Sequence, residues 1–257
     1  SLFYTNKLSI KLNKGDEIIV PAISWSTTYY PLYQYGLKLK FVDVNIDTLN
    51  YDISKLKKSI SSKTRAVMCV NLCGNPNEYD KINKIIKNKS IYILEDNAES
   101  LGAIYKGKKT GTFGIMGTFS FFFSHHISTM EGGMILTNNK NLYEILFSLR
   151  NHGWTRGLPK KNTITLLKKN NKFQSPYEFI LPGYNLRPLE ISGALGIIQL
   201  TKLNEFVKIR RKNALFFQRL MKNKKNYIIQ KEIGKSSWFW FTIILKKSNS
   251  INRNSLV

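Results

Sequence analysis

Six short runs of apolar, β-branched or aromatic residues recur up to residue 137 and predict the strands of a buried sheet. Between them lie three segments with the apolar spacing of one-sided helices. Strands that are apolar on both faces need cover on both sides. The pattern therefore predicts a three-layer α/β/α domain with a mostly parallel sheet. The predicted strands are 17–20, 39–44, 66–72, 91–95, 118–122 and 134–137, and the predicted helices are 54–60, 81–87 and 141–150.

The second part of the chain follows a different pattern. Residues 159–175 are rich in Lys, Asn and Thr without periodicity, which predicts an exposed loop. A helical pattern follows at 188–221, and 224–247 resembles strands. We expect a large domain over 1–204 and a smaller α+β domain over 205–257. Because helical patterns at 2–8 and 252–256 reach the ends of the sequence, we also expect a piece of a longer protein, with both domains truncated.

Composition supports a globular protein, with 42% apolar and 12% aromatic residues. The formal net charge of +24 would ordinarily indicate binding to nucleic acid or to an anionic membrane. The lysines are spread through the sequence, however, and accompany abundant Asn, Ile, Tyr and Phe, all of which have AT-rich codons. We therefore expect neither partner, although a basic surface would attract an anionic nucleotide sugar.

The two cysteines, Cys69 and Cys73, have no second pair to complete a zinc or iron–sulfur set. They are interpreted as buried thiols in a reducing cytosol, so the predicted location is cytoplasmic and no metal site is expected. The sequence contains neither an apolar run of membrane-spanning length nor a signal peptide pattern.

Polar residues collect where predicted strands end, at the edge where α/β sheets bind ligands. Asp96 and Glu99 follow one strand, and Ser120 and His125 end or follow another. Each has an ordinary structural explanation when taken alone, since a strand-end acid often caps a helix and a histidine often belongs to the core. A tryptophan such as Trp25, considered by itself, is usually a core or interface residue.

The joint order of these residues resembles the DegT/DnrJ/EryC1/StrS family of sugar aminotransferases. This chain has a strand-end Asp, then Ser-x4-His where the aminotransferases of the family have Ser-x4-Lys, then Glu-Gly-Gly at 131–133. The resemblance covers nearly the whole chain, through 15–21, 41–43, 107–111, 149–153 and 183–188. It implies the fold-type I large domain, the cofactor pyridoxal 5′-phosphate (PLP) and a homodimer with shared active sites.

The resemblance also implies roles for individual residues in binding the cofactor. Asp96 would bond the pyridine nitrogen, Trp25 would stack on the ring, and Ser120 would bind the phosphate. Glu99 matches a position that lies near the hydroxyl of the cofactor ring, and most members of the family have Gln at that position. Asn185 would reach the cofactor phosphate of the neighbouring subunit.

Three further residues, His152, Arg156 and Arg187, match positions that face the substrate in the family.

The decisive position is His125, five residues after Ser120, where aminotransferases carry the lysine that binds the cofactor covalently. No lysine lies between Lys109 and Lys140, so a shifted alignment does not supply one. Imidazole does not form that covalent bond. We therefore expect a non-covalently held cofactor, with pyridoxamine 5′-phosphate (PMP) as the resting form. An ordinary imidazole pKa near 6.5 suits His125 as the base that removes a proton from the cofactor's C4′ atom.

Segments 21–30, 124–133, 152–156 and 181–185 resemble the branch of the family that removes the C3 hydroxyl of a GDP-linked 4-keto-6-deoxy sugar, with glutamate as amino donor and ammonia as product. That branch makes deoxysugars of the lipopolysaccharide O-antigen.

Three alternatives stay open. His125 opposes an ordinary sugar aminotransferase. The absence of cysteine after Trp154 opposes an iron–sulfur 3-dehydratase acting on CDP-sugars. A non-catalytic binding or scaffolding relative gives no reason for Asp96, Ser120 and 131–133 to occur together.

Overall fold

A six-stranded sheet forms the centre of the computed structural model, which describes residues 11–87, 89–159, 162, 164–165, 177–246 and 254. The strands are β1 (Glu17–Pro21), β2 (Lys38–Val42), β3 (Thr64–Val70), β4 (Tyr92–Asp96), β5 (Ile104–Tyr105), β6 (Lys108–Lys109), β7 (Met116–Ser120), β8 (Gly133–Leu136), β9 (Tyr227–Ile229) and β10 (Ile243–Leu245). The spatial order in the six-stranded sheet is β2-β1-β3-β4-β7-β8, and every neighbouring pair is parallel except β7 and β8. Strands β5 and β6 form one small antiparallel pair, and β9 and β10 form another.

Helices cover the sheet, and local signals in the sequence account for where two of them begin. The helices are α1 (Ser26–Gln34), α2 (Ile53–Ser59), α3 (Tyr79–Ile86), α4 (Lys140–Leu149) and α5 (Glu190–Met221), with a 3₁₀ turn at Leu72–Gly74. Asp52 accepts hydrogen bonds from two first-turn amides of α2, and Asn139 accepts one from a first-turn amide of α4. In α3, Tyr79, Ile82 and Ile86 recur at helical spacing and form its buried face.

The hydrophobic core lies on both faces of the sheet. Ile18 and Val20 of β1 pack in the cluster that includes the buried side of α4, whereas Ile19 between them packs in the cluster that includes α2 and α3. This alternation follows from the two-residue repeat of a strand. The three-layer α/β/α architecture is therefore confirmed.

All six predicted strands of the sheet are present, with ends shifted by one or two residues, and so are the predicted helices. Helix α1 was not predicted, because Thr, Tyr and Pro in its sequence are poor helix formers. The predicted exposed loop at 159–175 lies mostly outside the described residues. It is wrong at Ile164, which is 7% exposed and packs in the core.

The terminal helical patterns at 2–8 and 252–256 fall on residues that are outside the described ranges, apart from residue 254. The expected domain boundary at 204/205 lies inside α5, which runs without interruption from Glu190 to Met221. The division into two domains stays a prediction. Among the helices within the described ranges, none has the length and apolar character needed to cross a membrane.

Glu95, the neighbour of Asp96 on β4, connects the sheet to the loop before β7. Its carboxylate is 1% exposed and accepts hydrogen bonds from Tyr79 Oη at 2.9 Å and from three backbone amides of residues 111, 113 and 114 at 2.6–2.7 Å. Because neighbouring residues of a strand point to opposite faces, Glu95 anchors this loop while Asp96 faces the other way.

Replacing Glu95 by alanine should destabilise the protein by roughly 3 kcal/mol or more, since the buried Tyr79 hydroxyl and three buried or part-buried N–H groups would lose their acceptor. Urea unfolding measures this loss. Glu95→Gln keeps one acceptor oxygen and should lie between the wild type and the alanine variant. A loss below about 1 kcal/mol would mean that water replaces the carboxylate in the loop.

Candidate active site

The predicted cofactor residues meet at the carboxyl edge of the parallel strands. Asp96 is the last residue of β4, and Ser120 is the last residue of the neighbouring β7. Trp25 lies just after β1 as the N-cap residue of α1. Carboxyl ends of parallel strands lie along one edge of a sheet, so the fold brings these separated segments together.

Asp96 is oriented by two hydrogen bonds. Thr28 Oγ1 donates to one carboxylate oxygen at 2.7 Å, and the Ala98 amide donates to the other at 3.1 Å. Thr28 is itself hydrogen-bonded to Ser24 Oγ at 2.7 Å. No Lys or Arg side chain in the described ranges forms an ion pair with Asp96. The carboxylate is thus held in place, and none of the cationic side chains that the structure describes pairs with it.

The adjacent histidines His125 and His126 have different surroundings. His126 is buried, and its Nε2 donates to the Ser237 carbonyl at 3.1 Å. Burial lowers the pKa of His126 to about 4, so its ring is neutral at physiological pH. These contacts make His126 a structural residue.

His125 is half-buried, and its ring stacks on Phe239 with the ring centroids 4.9 Å apart and the planes 19° from parallel. Burial lowers its pKa, against the smaller raising effects of the Ala98 backbone and the Asp96 carboxylate. Its Nδ1 atom is buried, and no atom of the described residues forms a hydrogen bond with it. A neutral imidazole beside the Asp96 carboxylate is able to accept a proton.

Glu99 and Trp25 line one cavity of about 590 Å³, together with Cys73 and Trp240. Trp25 is 70% exposed, so one face of its indole is open to a ligand. Glu99 accepts a hydrogen bond from the Cys73 amide at 2.5 Å. Burial raises the pKa of Glu99 to about 7, opposed by that hydrogen bond and assisted by the nearby Asp96 charge. Glu99 is therefore poised between its acid and its carboxylate form at neutral pH.

Glu99→Gln should alter the pH dependence of stability. The folded-state pKa of about 7 lies above the ordinary 4.5, so the favourable contribution of protonated Glu99 is complete below about pH 4.5 and is lost as pH rises through 7. Glutamine keeps an acceptor for Cys73 and has no charge to bury. The unfolding free energy of the variant minus that of the wild type should be larger at about pH 8 than at about pH 5, by on the order of 1–3 kcal/mol. A difference that does not change with pH would show that ionised Glu99 is well solvated.

Ser120 is half-buried at the end of β7, where its Oγ accepts a hydrogen bond from the Phe122 amide at 3.3 Å. Its backbone pairs with Gly133 of β8. The predicted phosphate ligand thus lies in the turn that leads to His125.

The remaining predicted residues lie on another part of the chain, and their side chains are exposed. The His152 amide donates to Tyr184 O at 2.8 Å, and Asn185 forms a bridge with Asn151. The guanidinium of Arg156 lies 5.2 Å from the ring centroid of Trp154. Thus His152 and Asn185 are brought close together by paired backbone segments, and Arg187 follows on the same segment. Their predicted contacts with substrate and partner subunit stay predictions.

Thr28, Cys73 and Phe239 border the site and were not predicted. Thr28 had a signal, because it lies in the first turn of α1 three residues after Trp25. Cys73 adopts a positive φ of 59° and accepts a hydrogen bond from Trp240 Nε1 at 2.5 Å, and burial raises its pKa to about 12. Phe239 had no signal, since only the folded chain brings it to His125.

Both cysteines are free and buried, as predicted. Across the ranges that the structure describes, no group of three potential metal ligands occurs.

An acid, a serine and a histidine thus lie at the carboxyl edge of a mostly parallel sheet, where α/β proteins bind their ligands. The chain belongs to the DegT/DnrJ/EryC1/StrS aminotransferase family, whose model matches residues 4–257. The six-stranded sheet and the helices that cover it accordingly have the fold of the fold-type I PLP enzymes.

The chain is similar to GDP-4-keto-6-deoxy-D-mannose 3-dehydratase of Escherichia coli O55:H7, at 56% identity over 100% of this chain and 66% of that protein. The chain therefore spans just under two thirds of the length of that relative.

Two solved structures of GDP-4-keto-6-deoxymannose-3-dehydratase are also similar, each with a TM-score of 0.95, 55% identity and coverage of 99% of this chain and 66% of the other. One is a histidine-to-asparagine variant with bound GDP-perosamine, and the other contains a trapped PLP-glutamate geminal diamine.

Proposed function

We propose that this protein is a PMP/PLP-dependent nucleotide-sugar 3-dehydratase. It removes the C3 hydroxyl of GDP-4-keto-6-deoxymannose and yields the 4-keto-3,6-dideoxy sugar and ammonia. The observation that carries the proposal is an imidazole, not a lysine amine, at position 125, in the same site as Asp96. The similarity to GDP-4-keto-6-deoxy-D-mannose 3-dehydratase at 56% identity supports the same activity.

The residues present fit the proposed cofactor. Asp96 is a positioned carboxylate without a cationic partner among the described residues, in a chain with a net charge of +24. A protonated pyridine nitrogen would supply that partner. Trp25 presents an open aromatic face to the same cavity that Glu99 lines, which suits a flat ring. We therefore assign pyridine-nitrogen binding to Asp96 and ring stacking to Trp25, with Ser120 at the phosphate and Glu99 on the ring-hydroxyl side.

When bound, the cofactor supplies an amine for the C4 ketone of the sugar and a ring that accepts an electron pair. Asp96 keeps the pyridine nitrogen protonated, because a carboxylate close to that nitrogen favours its cationic form.

His125 is the proposed base and acid. With its pKa lowered by burial, the imidazole is neutral at neutral pH and accepts the proton from the cofactor's C4′ atom. The same imidazole then donates that proton to the oxygen leaving sugar C3, so hydroxide departs as water. With an imidazole in place of a lysine, position 125 has no amine that competes for the cofactor.

The proposed partners follow from the same assignment. The GDP-sugar is the substrate, with His152, Arg156 and Arg187 facing it, and glutamate restores the amine form of the cofactor. The GDP-perosamine and PLP-glutamate complexes of the similar dehydratase support these two classes of ligand. We further infer a homodimer in which Asn185 reaches the partner subunit's cofactor phosphate. We also infer that the protein is cytoplasmic and that it takes part in making colitose for the lipopolysaccharide O-antigen.

The test is to supply the purified protein with PLP, glutamate and GDP-4-keto-6-deoxymannose, and to follow ammonia release and product mass. Ammonia in a 1:1 ratio with a product that has lost the C3 oxygen is the expected result. A 4-amino sugar that keeps oxygen at C3 would instead identify an aminotransferase. A protein that binds the nucleotide sugar without turnover would be a non-catalytic relative.

A further inference from the structure

The segment 236–242 lies between β9 and β10 in sequence and is hydrogen-bonded to the 3₁₀ turn at Leu72–Gly74. The Ser237 amide donates to Gly74 O at 3.0 Å, and the Phe239 amide donates to Cys73 O at 2.9 Å. These bonds fix the segment at the edge of the cavity that Glu99 and Trp25 line. It therefore forms one wall of the site, although it lies more than a hundred residues from Asp96 in sequence.

Phe239 is the residue of this segment that meets His125. Its ring is nearly parallel to the imidazole, with centroids 4.9 Å apart. His126 also lies close to Phe239, with its ring centroid at 5.7 Å. One phenyl ring thus packs against both histidines of the loop after β7.

The position of Phe239 is itself fixed from a third element, helix α5. Arg210 Nη1 donates to Phe239 O at 2.8 Å and to Trp238 O at 3.1 Å. With the amide bonded to Cys73 O, both backbone polar groups of Phe239 are engaged. A side chain on so constrained a backbone has little freedom to move away from the imidazole.

A catalytic histidine is usually oriented by a hydrogen bond from the ring nitrogen that does not react. Within the described ranges, Nδ1 of His125 has no such partner. Among the titratable and charged groups, Asp96 on β4 lies near His125. Arg210 on α5 and His125 lie near His126. The His125 ring also meets the edge of Phe122, at a centroid distance of 6.5 Å, and the Ala98 backbone. Phe239 makes the face-to-face contact, and that contact sets the plane of the imidazole.

We propose that Phe239 is a positioning residue for His125, holding the plane of the imidazole by stacking while Arg210 and Cys73 hold the Phe239 backbone. This inference rests on the proposed function, in which His125 moves the proton between C4′ and the leaving oxygen. Stacking itself adds no hydrogen bond to either ring nitrogen, which suits a group that first accepts and then donates a proton.

The test compares Phe239→Leu with Phe239→Tyr in the whole protein. Leucine keeps an apolar side chain and removes the flat face, so kcat should fall by about 10- to 100-fold through misorientation of the base, while KM for the GDP-sugar stays within about twofold. Tyrosine keeps the face and should retain most of kcat. Phe217→Leu is the matched control, because Phe217 on α5 stacks on Phe241 of this segment and is not among the residues that line the cavity beside His125. It should leave kcat unchanged.

A second readout does not depend on turnover. With only three histidines in the chain, the His125 ring protons can be followed by NMR. They should show an upfield ring-current shift in the wild type and in Phe239→Tyr, and lose it in Phe239→Leu. Should the leucine variant not fold, Arg210→Lys removes part of the support for Phe239 O and should lower kcat in the same direction by a smaller factor.

Two outcomes would overturn the positioning role: unchanged kcat in Phe239→Leu despite loss of the ring-current shift, or an equal loss of kcat in Phe217→Leu. Failure of the proposed function is seen separately. If His125→Asn retains dehydration, His125 is not the base, whereas the NMR shifts still report whether Phe239 holds the imidazole.

Discussion

His125→Lys is expected to capture PLP covalently and to lose dehydration by about 10²- to 10⁴-fold, the range associated with removal of a general acid–base group. Lysine places a primary amine where the imidazole lies, beside Asp96, the proposed partner of the pyridine nitrogen, and an amine condenses with the PLP aldehyde. Borohydride treatment followed by mass spectrometry should find one PLP group attached to the peptide containing residue 125. The wild type treated in the same way should remain unmodified.

His125→Asn is the matched control, because it removes the imidazole without adding an amine. It should lose dehydration to a similar extent and bind PLP without covalent attachment. A borohydride-reducible attachment in the wild type would contradict the assignment, since it would require a lysine elsewhere in the site.

Asp96→Asn is expected to lower kcat by about 10²- to 10³-fold, the scale seen when a preorganised electrostatic group is removed from an active site. The amide carries no charge to keep the pyridine nitrogen protonated, so the ring accepts electrons poorly. The absorption spectrum of bound PLP should change with the protonation state of the ring, which provides a readout beside turnover.

Asp47→Asn removes the same charge from an exposed position and should leave both kcat and the spectrum unchanged. If Asp96→Asn retained full activity with an unaltered spectrum, the pyridine nitrogen would have to bind elsewhere.

The sheet was predictable because its information is local. Apolar runs such as 66–72 and 91–95 are recognisable one at a time, and strands buried on both faces require helices on both sides. Helix α1 escaped prediction because Thr28, Tyr29, Tyr30 and Pro31 argue against a helix locally. Its formation depends on packing, since the buried Thr28 and the half-buried Tyr29 face the strands.

The acids at the end of β4 show where sequence reasoning stops. Glu95 and Asp96 are adjacent carboxylates, and the sequence places both at a strand end. Only the direction of each side chain separates their roles: Glu95 binds three loop amides, while Asp96 faces Thr28 and the site. The resemblance to the family selected Asp96, and the structure supplies the physical reason.

By itself the sequence determined the family, the layered fold and the histidine at position 125, because these depend on the identity and order of residues along the chain. The tertiary structure alone decided that His126 is structural, that burial raises the pKa of Glu99 to about 7, and that Phe239 packs against His125. Those properties depend on burial and on contacts between distant segments, which no local pattern records.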